Sequence, residues 1–150
     1  MHKLFCLLFL AVALSAVFRY GYKTYWNSGG SMAPTVRDGQ FLLINKIYYD
    51  YAPVSRFDVV ALWDVNEKES LIKRIVGLPN DTVEIRDGRI SINGKPIQND
   101  PMENAEHDWQ FNFGPHKLKS NAYFYIGDDR DESTWGIVQL QNIAGKVMWK

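Results

Sequence analysis

Hydrophobic positions fall along this chain in two unlike patterns. From Leu4 to Phe18 there is no charge and Ser15 is the only polar residue, with Lys3 ahead and Arg19 and Lys23 behind. At about 1.5 Å per residue this run reaches roughly 22 Å, short of the roughly 30 Å hydrocarbon core of a bilayer. Extended to Tyr22, with Arg19 snorkelling, it spans nearly the whole core. The pattern predicts one membrane helix over about residues 4–22, with Tyr20, Tyr22, Tyr25 and Trp26 as an interfacial aromatic belt. Residues 1–26 then form an anchor and residues 27–150 a separate domain, joined by a flexible hinge at Asn27-Ser28-Gly29-Gly30. Two competing readings are a cleavable signal peptide and a helix buried in a core. Basic residues flank both ends and give no orientation.

The second pattern is that of strands. Phe41–Ile44 and Val59–Trp63 are short apolar runs, as expected of strands covered on both faces. Leu71–Val76 is apolar except for Lys73 and Arg74. Val83–Arg86 alternates, Asp87-Gly88 turns the chain, Arg89–Ile92 alternates back and Asn93-Gly94 turns it again. Both dipeptides suit turns with positive φ, which makes a β-meander. Residues 99–119 carry Pro101 and Pro115 and lack a period, and are read as a long surface loop. Ala122–Ile126 and Ile143–Trp149 are further strands, separated by a charged loop over Gly127–Thr134. The fold class is an all-β domain preceded by one N-terminal transmembrane helix.

Composition narrows the function mainly by exclusion. Lys+Arg and Asp+Glu balance at 17 each, so no bulk charge favours nucleic acid as a partner. The single cysteine, Cys6, forbids an intramolecular disulfide and lies within the apolar run. With three scattered histidines, His2, His107 and His116, a structural zinc site has too few ligands.

Two residues carry candidate chemistry. Ser31, in Gly30-Ser31-Met32-Ala33-Pro34-Thr35, follows closely on the apolar run, and Lys73 sits among Leu71, Ile72, Ile75 and Val76. A serine hydroxyl must lose its proton as it attacks a carbonyl, and a lysine amine can accept it only when neutral. That requires its pKa to fall by roughly 2 to 3 units, a cost on the order of 3 to 4 kcal/mol. Burial among apolar side chains supplies such a shift. Strand alternation places Leu71, Lys73 and Ile75 on one face and Ile72, Arg74 and Val76 on the other. Taken singly, Ser31 also fits an ordinary turn residue, and Lys73 an edge-strand charge that discourages aggregation.

Four segments taken together resemble the type I signal peptidases, membrane-bound serine proteases that remove signal peptides from exported preproteins. Gly30–Thr35 resembles their nucleophile motif and Arg56-Phe57-Asp58-Val59-Val60 their Arg-Gly-Asp strand segment. Leu71–Asp81 resembles the general-base segment, and Gly127-Asp128-Asp129-Arg130-Asp131-Glu132-Ser133 the Gly-Asp-Asn-Arg box. The resemblance implies Ser31 as nucleophile, Lys73 as base, Ser133 orienting the Lys73 amine and Asp128 pairing with Arg74. It implies that Tyr25, Met32, Leu71 and Ile72 flank shallow pockets for small side chains at the first and third positions before the cut. The substrate would be added as a β-strand. No cofactor and no metal are implied; the partners are preproteins and the lipid bilayer, with the catalytic domain on the outer side.

The chain departs from the family pattern at several points. Thr134 runs directly into Trp135-Gly136, where relatives carry an intervening Asp-Ser-Arg segment. Gly29 stands where many relatives have a serine whose hydroxyl helps to bind the oxyanion, and Phe57 and Asn80 replace glycines. Other readings remain open: a peptidase specialised for one substrate, a catalytically inactive module that holds signal peptides, or a relative of the self-cleaving SOS repressors. A Ser-His-Asp arrangement would have to draw on His107 or His116, neither within a supporting motif.

Overall fold

The computed structural model describes residues 2–63, 70–102 and 109–149. Helix α1 (His2–Gly21) passes without a loop into strand β1 (Tyr22–Trp26). Strand β2 (Phe41–Asn45), a single turn of helix α2 (Tyr48–Tyr51), β3 (Val59–Trp63) and β4 (Ser70–Gly77) follow. Next come β5 (Thr82–Arg86), β6 (Arg89–Ile92), the two-residue β7 (Lys95–Pro96) and β8 (Phe113–Lys117). The chain closes with β9 (Ala122–Ile126), β10 (Trp135–Gln139) and β11 (Ile143–Trp149).

These strands form a seven-stranded sheet ordered β1-β2-β11-β3-β4-β9-β10 and a four-stranded sheet ordered β7-β6-β5-β8. The apolar runs of β3 and β4 lie at the centre of the larger sheet, where both faces are covered. One face packs Met32, Val36, Leu42, Ile44, Ala61 and Ile72, and the other Val54, Val60, Leu62, Ile75, Tyr123 and Ile143. A third cluster, including Val76, Val83, Ile85, Leu118 and Phe124, joins the two sheets. The meander closes as its dipeptides require, with φ of 47° and 73° at Asp87-Gly88 and 54° and 75° at Asn93-Gly94.

Several expectations are corrected. Tyr22, Tyr25 and Trp26 do not continue the helix as a belt: β1 pairs in register with β2, from Tyr22 opposite Asn45 to Trp26 opposite Phe41. The helix therefore ends at Gly21, and strand pairing begins at Tyr22. Nor is Asn27–Gly30 a hinge. Asn27 is buried and its Nδ2 donates to the carbonyls of Gly29 and Arg37, both at 3.0 Å, while the Gly29 N–H donates to Asp38 Oδ1 at 2.7 Å. The stretch read as a loop over 99–119 contains β8, an edge strand that accommodates Gly114-Pro115 where its register with β5 slips. Strand β10 lies at the opposite edge of the large sheet. Among the described residues no helix is long and apolar enough to cross a membrane.

Candidate active site

Ser31 opens a turn that is pinned from several directions. Met32 and Val36 are buried in the core beneath it. The Val36 N–H donates to the Met32 carbonyl at 2.8 Å, and the Ala33 N–H to the Gly30 carbonyl at 2.7 Å. The Ser31 carbonyl accepts the Asp129 N–H at 3.2 Å, which ties the turn to the loop between β9 and β10.

Lys73 reaches the turn from β4. It stands opposite Val60 on β3, so alternation puts it on the face that also carries Leu71 and Ile75, as the sequence predicts. Its side chain is 2% exposed, and Nζ donates to Ser31 Oγ at 2.7 Å. Nζ also lies 3.4 Å from Ser133 Oγ, which itself donates to the Thr134 carbonyl at 3.0 Å. Burial lowers the Lys73 amine to about 8, against the Asp128 carboxylate, which draws it back upward. Desolvation wins because Asp128 is already committed elsewhere.

That commitment is a buried ion pair with Arg74. The guanidinium Nε donates to Asp128 Oδ1 at 2.7 Å and a second nitrogen to Oδ2 at 2.5 Å, with both side chains nearly inaccessible. Arg74 also donates to the Phe57 carbonyl at 2.8 Å and to Thr35 Oγ1 at 3.2 Å. Phe57 presents that carbonyl from a left-handed backbone, φ 71°, and its N–H donates to the Ile75 carbonyl at 2.7 Å. Asn80, the other residue in place of a glycine, also has positive φ, 68°. A bulky residue held at positive φ costs of order 1–3 kcal/mol, so the surrounding bonds over-determine this loop. Removing the Asp128 carboxylate should strand the Arg74 charge: Asp128→Ala is expected to cost about 3–5 kcal/mol in urea unfolding. A double replacement by Arg74→Met and Asp128→Leu should recover most of that loss.

Gly127 brings the pieces together. A Cβ at this position would run into the Ser133 side chain and the Ser31 carbonyl oxygen, so only glycine lets the two approach. Among the residues expected to flank substrate, Met32 and Ile72 share one core cluster and Tyr25 packs against it. The Tyr25 hydroxyl donates to the Ser70 carbonyl at 2.9 Å. Leu71 lies on the other sheet face, packed with the cluster of Val60 and Ile75, so it does not join these three. On the β9 side, β4 is paired only from Arg74 onward, because β9 ends at Ile126; the stretch Ser70–Lys73 has no strand there among the described residues. The missing hydroxyl at Gly29 leaves open space, with nothing within 4 Å of where its Cβ would be.

His116 stands on β8 with its ring 5.7 Å from Phe113, and His107 lies outside the described residues. Among the described residues no group of three or more His, Cys, Asp or Glu side chains is placed to hold a metal ion. The arrangement sets a buried amine, lowered toward neutrality, beside a hydroxyl that such an amine can deprotonate.

Comparison with known proteins points the same way. Residues 1–150 match the family model described as signal peptidase, peptidase S26. Signal peptidase I of Leptolyngbya laminosa is 32% identical over 154 residues, covering 91% of this chain and 74% of that protein. Signal peptidase I V of Bacillus subtilis (strain 168) is 30% identical over 159 residues, covering 93% and 94%. The crystal structure of a signal peptidase I from Enterococcus faecalis V583 superposes with a TM-score of 0.54 at 25% identity, covering 63% of this chain and 97% of that one.

Proposed function

The chain belongs to the signal peptidase, peptidase S26, family, and from that premise we propose that Ser31 is its nucleophile and Lys73 its general base. It is a serine endopeptidase that removes signal peptides from preproteins. The observation that carries the assignment is the 2.7 Å contact between Ser31 Oγ and an amine lowered by burial to about 8. At pH 7 about one amine in ten is neutral, enough for a base that is regenerated in each turnover.

Neutral Lys73 accepts the Ser31 proton as Oγ attacks the scissile carbonyl. It then passes that proton to the departing amine, leaving an acyl ester on Ser31. In the second half Lys73 takes a proton from water as its oxygen attacks the ester carbonyl, and returns that proton to Ser31 Oγ as the acyl group leaves as the carboxylic acid. Ser133 orients the amine through its hydroxyl, and the Arg74–Asp128 pair holds the strand and the loop in register. With glycine at position 29, the Ser31 backbone N–H carries more of the oxyanion stabilisation. The substrate enters extended along the open stretch Ser70–Lys73, adding main-chain bonds as a strand does. Tyr25, Met32 and Ile72 wall a shallow pocket that favours small side chains, and Leu71 borders the peptide from the other face.

Helix α1 serves as the membrane anchor in this reading, with the catalytic domain on the outer side. Its 20 residues rise about 30 Å, and Phe5, Leu7, Leu8, Phe9, Leu10 and Val12 project outward on all sides.

The test uses the full chain in lipid vesicles with a preprotein bearing a small-x-small site, and mass spectrometry to locate the cut. Wild type should sediment with the vesicles and cut at that site, while Ser31→Ala should not cut. Acylation of Ser31 by an inhibitor without preprotein cleavage would point to a peptidase specialised for another substrate. Failure of both would leave a binding module.

A further inference from the structure

The loop between β9 and β10 carries three of the groups that shape the site: Gly127, Asp128 and Ser133. At its end Thr134 leads straight into Trp135, the first residue of β10. A buried charge lies at the centre of the loop. Arg130 is 4% exposed. One guanidinium nitrogen donates to both oxygens of Asp100, at 3.1 and 3.0 Å, and the Asp100 side chain is 7% exposed. Arg130 Nε is buried with no hydrogen-bond partner, so Asp100 is the one carboxylate that balances this charge among the described residues.

Asp100 is itself preset. Asn99 before it has φ 58°, and the Met102 N–H donates to Asp100 Oδ1 at 3.0 Å. The acceptor is therefore fixed by a turn of its own before it meets Arg130, and comes from a segment far from the site in sequence. The loop is held at its far end by aromatic packing: Trp135 lies 4.7 Å from Phe111, 4.8 Å from Phe113 and 5.7 Å from Phe124, ring to ring. Between these two anchorages Ser133 has little freedom to leave Lys73.

We propose that Asp100 is a positioning residue for the peptidase reaction: by holding Arg130 it fixes the short β9–β10 loop, and through it Ser133 and Gly127, against Lys73 and Ser31. The inference rests on the Ser31–Lys73 reading, and its test separates the two.

Asp100→Leu alone leaves Arg130 buried without a counter-charge and is expected to unfold at lower urea. The informative variant is therefore the double replacement Asp100→Leu with Arg130→Met, which buries no charge and should recover stability. Two readouts are taken on it and on wild type in the full chain. The first is kcat and KM for a preprotein, where kcat should stay on the order of 10- to 100-fold low with KM little changed, as for a misplaced catalytic group. The second is titration of the Lys73 amine by NMR, which needs no turnover; its midpoint should move upward as water reaches a loosened site. A double variant with wild-type kcat and an unmoved Lys73 midpoint would reduce Asp100 to a merely structural role and overturn the proposal. Should wild type neither cut a preprotein nor be acylated at Ser31, the dyad reading falls, while the Lys73 midpoint still decides whether Asp100 positions the loop.

Discussion

Lys73→Met should abolish cleavage and at the same time make the protein more stable. Loss of the base removes the one group among the described residues placed to take the Ser31 proton, and such a deletion costs on the order of 10⁴- to 10⁶-fold in kcat. The gain in stability follows from the same burial. In the unfolded chain the amine titrates at its ordinary 10.5 and in the folded protein at about 8, so folding binds fewer protons between those values. Below pH 8 the buried ammonium costs the fold its full penalty, about 3 kcal/mol at 1.36 per unit. The penalty shrinks as pH rises from 8 and is gone above 10.5. Urea midpoints of wild type and Lys73→Met should therefore differ most at pH 6 to 7 and converge toward pH 10. The wild-type rate should rise with pH along a limb centred near 8. Equal stability of the two proteins at pH 7 would mean that the amine is not held in a dry site.

Gly127→Ala should be nearly as damaging, though it changes no chemical group. The added methyl would occupy the space shared by the Ser133 side chain and the Ser31 carbonyl. Neither can retreat freely, since the Ser31 carbonyl is bonded to the Asp129 N–H and Ser133 is tied to Thr134. A displacement of about 1 Å between reacting groups can cost about 100-fold, so kcat should fall at least that far. Gly30→Ala provides the contrast: no heavy atom lies within 4 Å of its would-be Cβ, and its folding stability should stay within about 0.5 kcal/mol of wild type. A Gly127→Ala variant that turns over normally would show that the two loops give more than the packing suggests.

Lys73 was legible because a charge amid Leu71, Ile72, Ile75 and Val76 is a local anomaly, and the meander because Asp87-Gly88 and Asn93-Gly94 are strong turn signals. The pairing of Ser31 with Lys73 rested on family resemblance, since spacing alone cannot bring a turn and a distant strand together. Strand β1 escaped because no turn residue separates it from α1 apart from Gly21, so its aromatics read as more helix. Asn27 escaped for a different reason: whether a Gly-flanked asparagine is a hinge or a knot depends on which carbonyls meet it, here those of Gly29 and Arg37. Strand β8 was hidden by Pro115, tolerable only because the strand lies at an edge. Asp100 carried no signal at all, since its partner Arg130 is brought to it by the packing of two sheets.

The open stretch on β4 has a consequence for solubility. Exposed strand edges template pairing with other chains, and proteins blunt them with charge, proline or a covering loop. None of these defences is compatible with an edge proposed to accept an extended peptide. Among the described residues the unpaired gap is only four residues long, Ser70 to Lys73, bounded where β9 takes over at Arg74. Four residues can hold the stretch of peptide that precedes a cut, yet they offer a second folded molecule too short a seam to build a sheet upon. Brevity lets the edge stay open to a substrate without becoming a seed for aggregation.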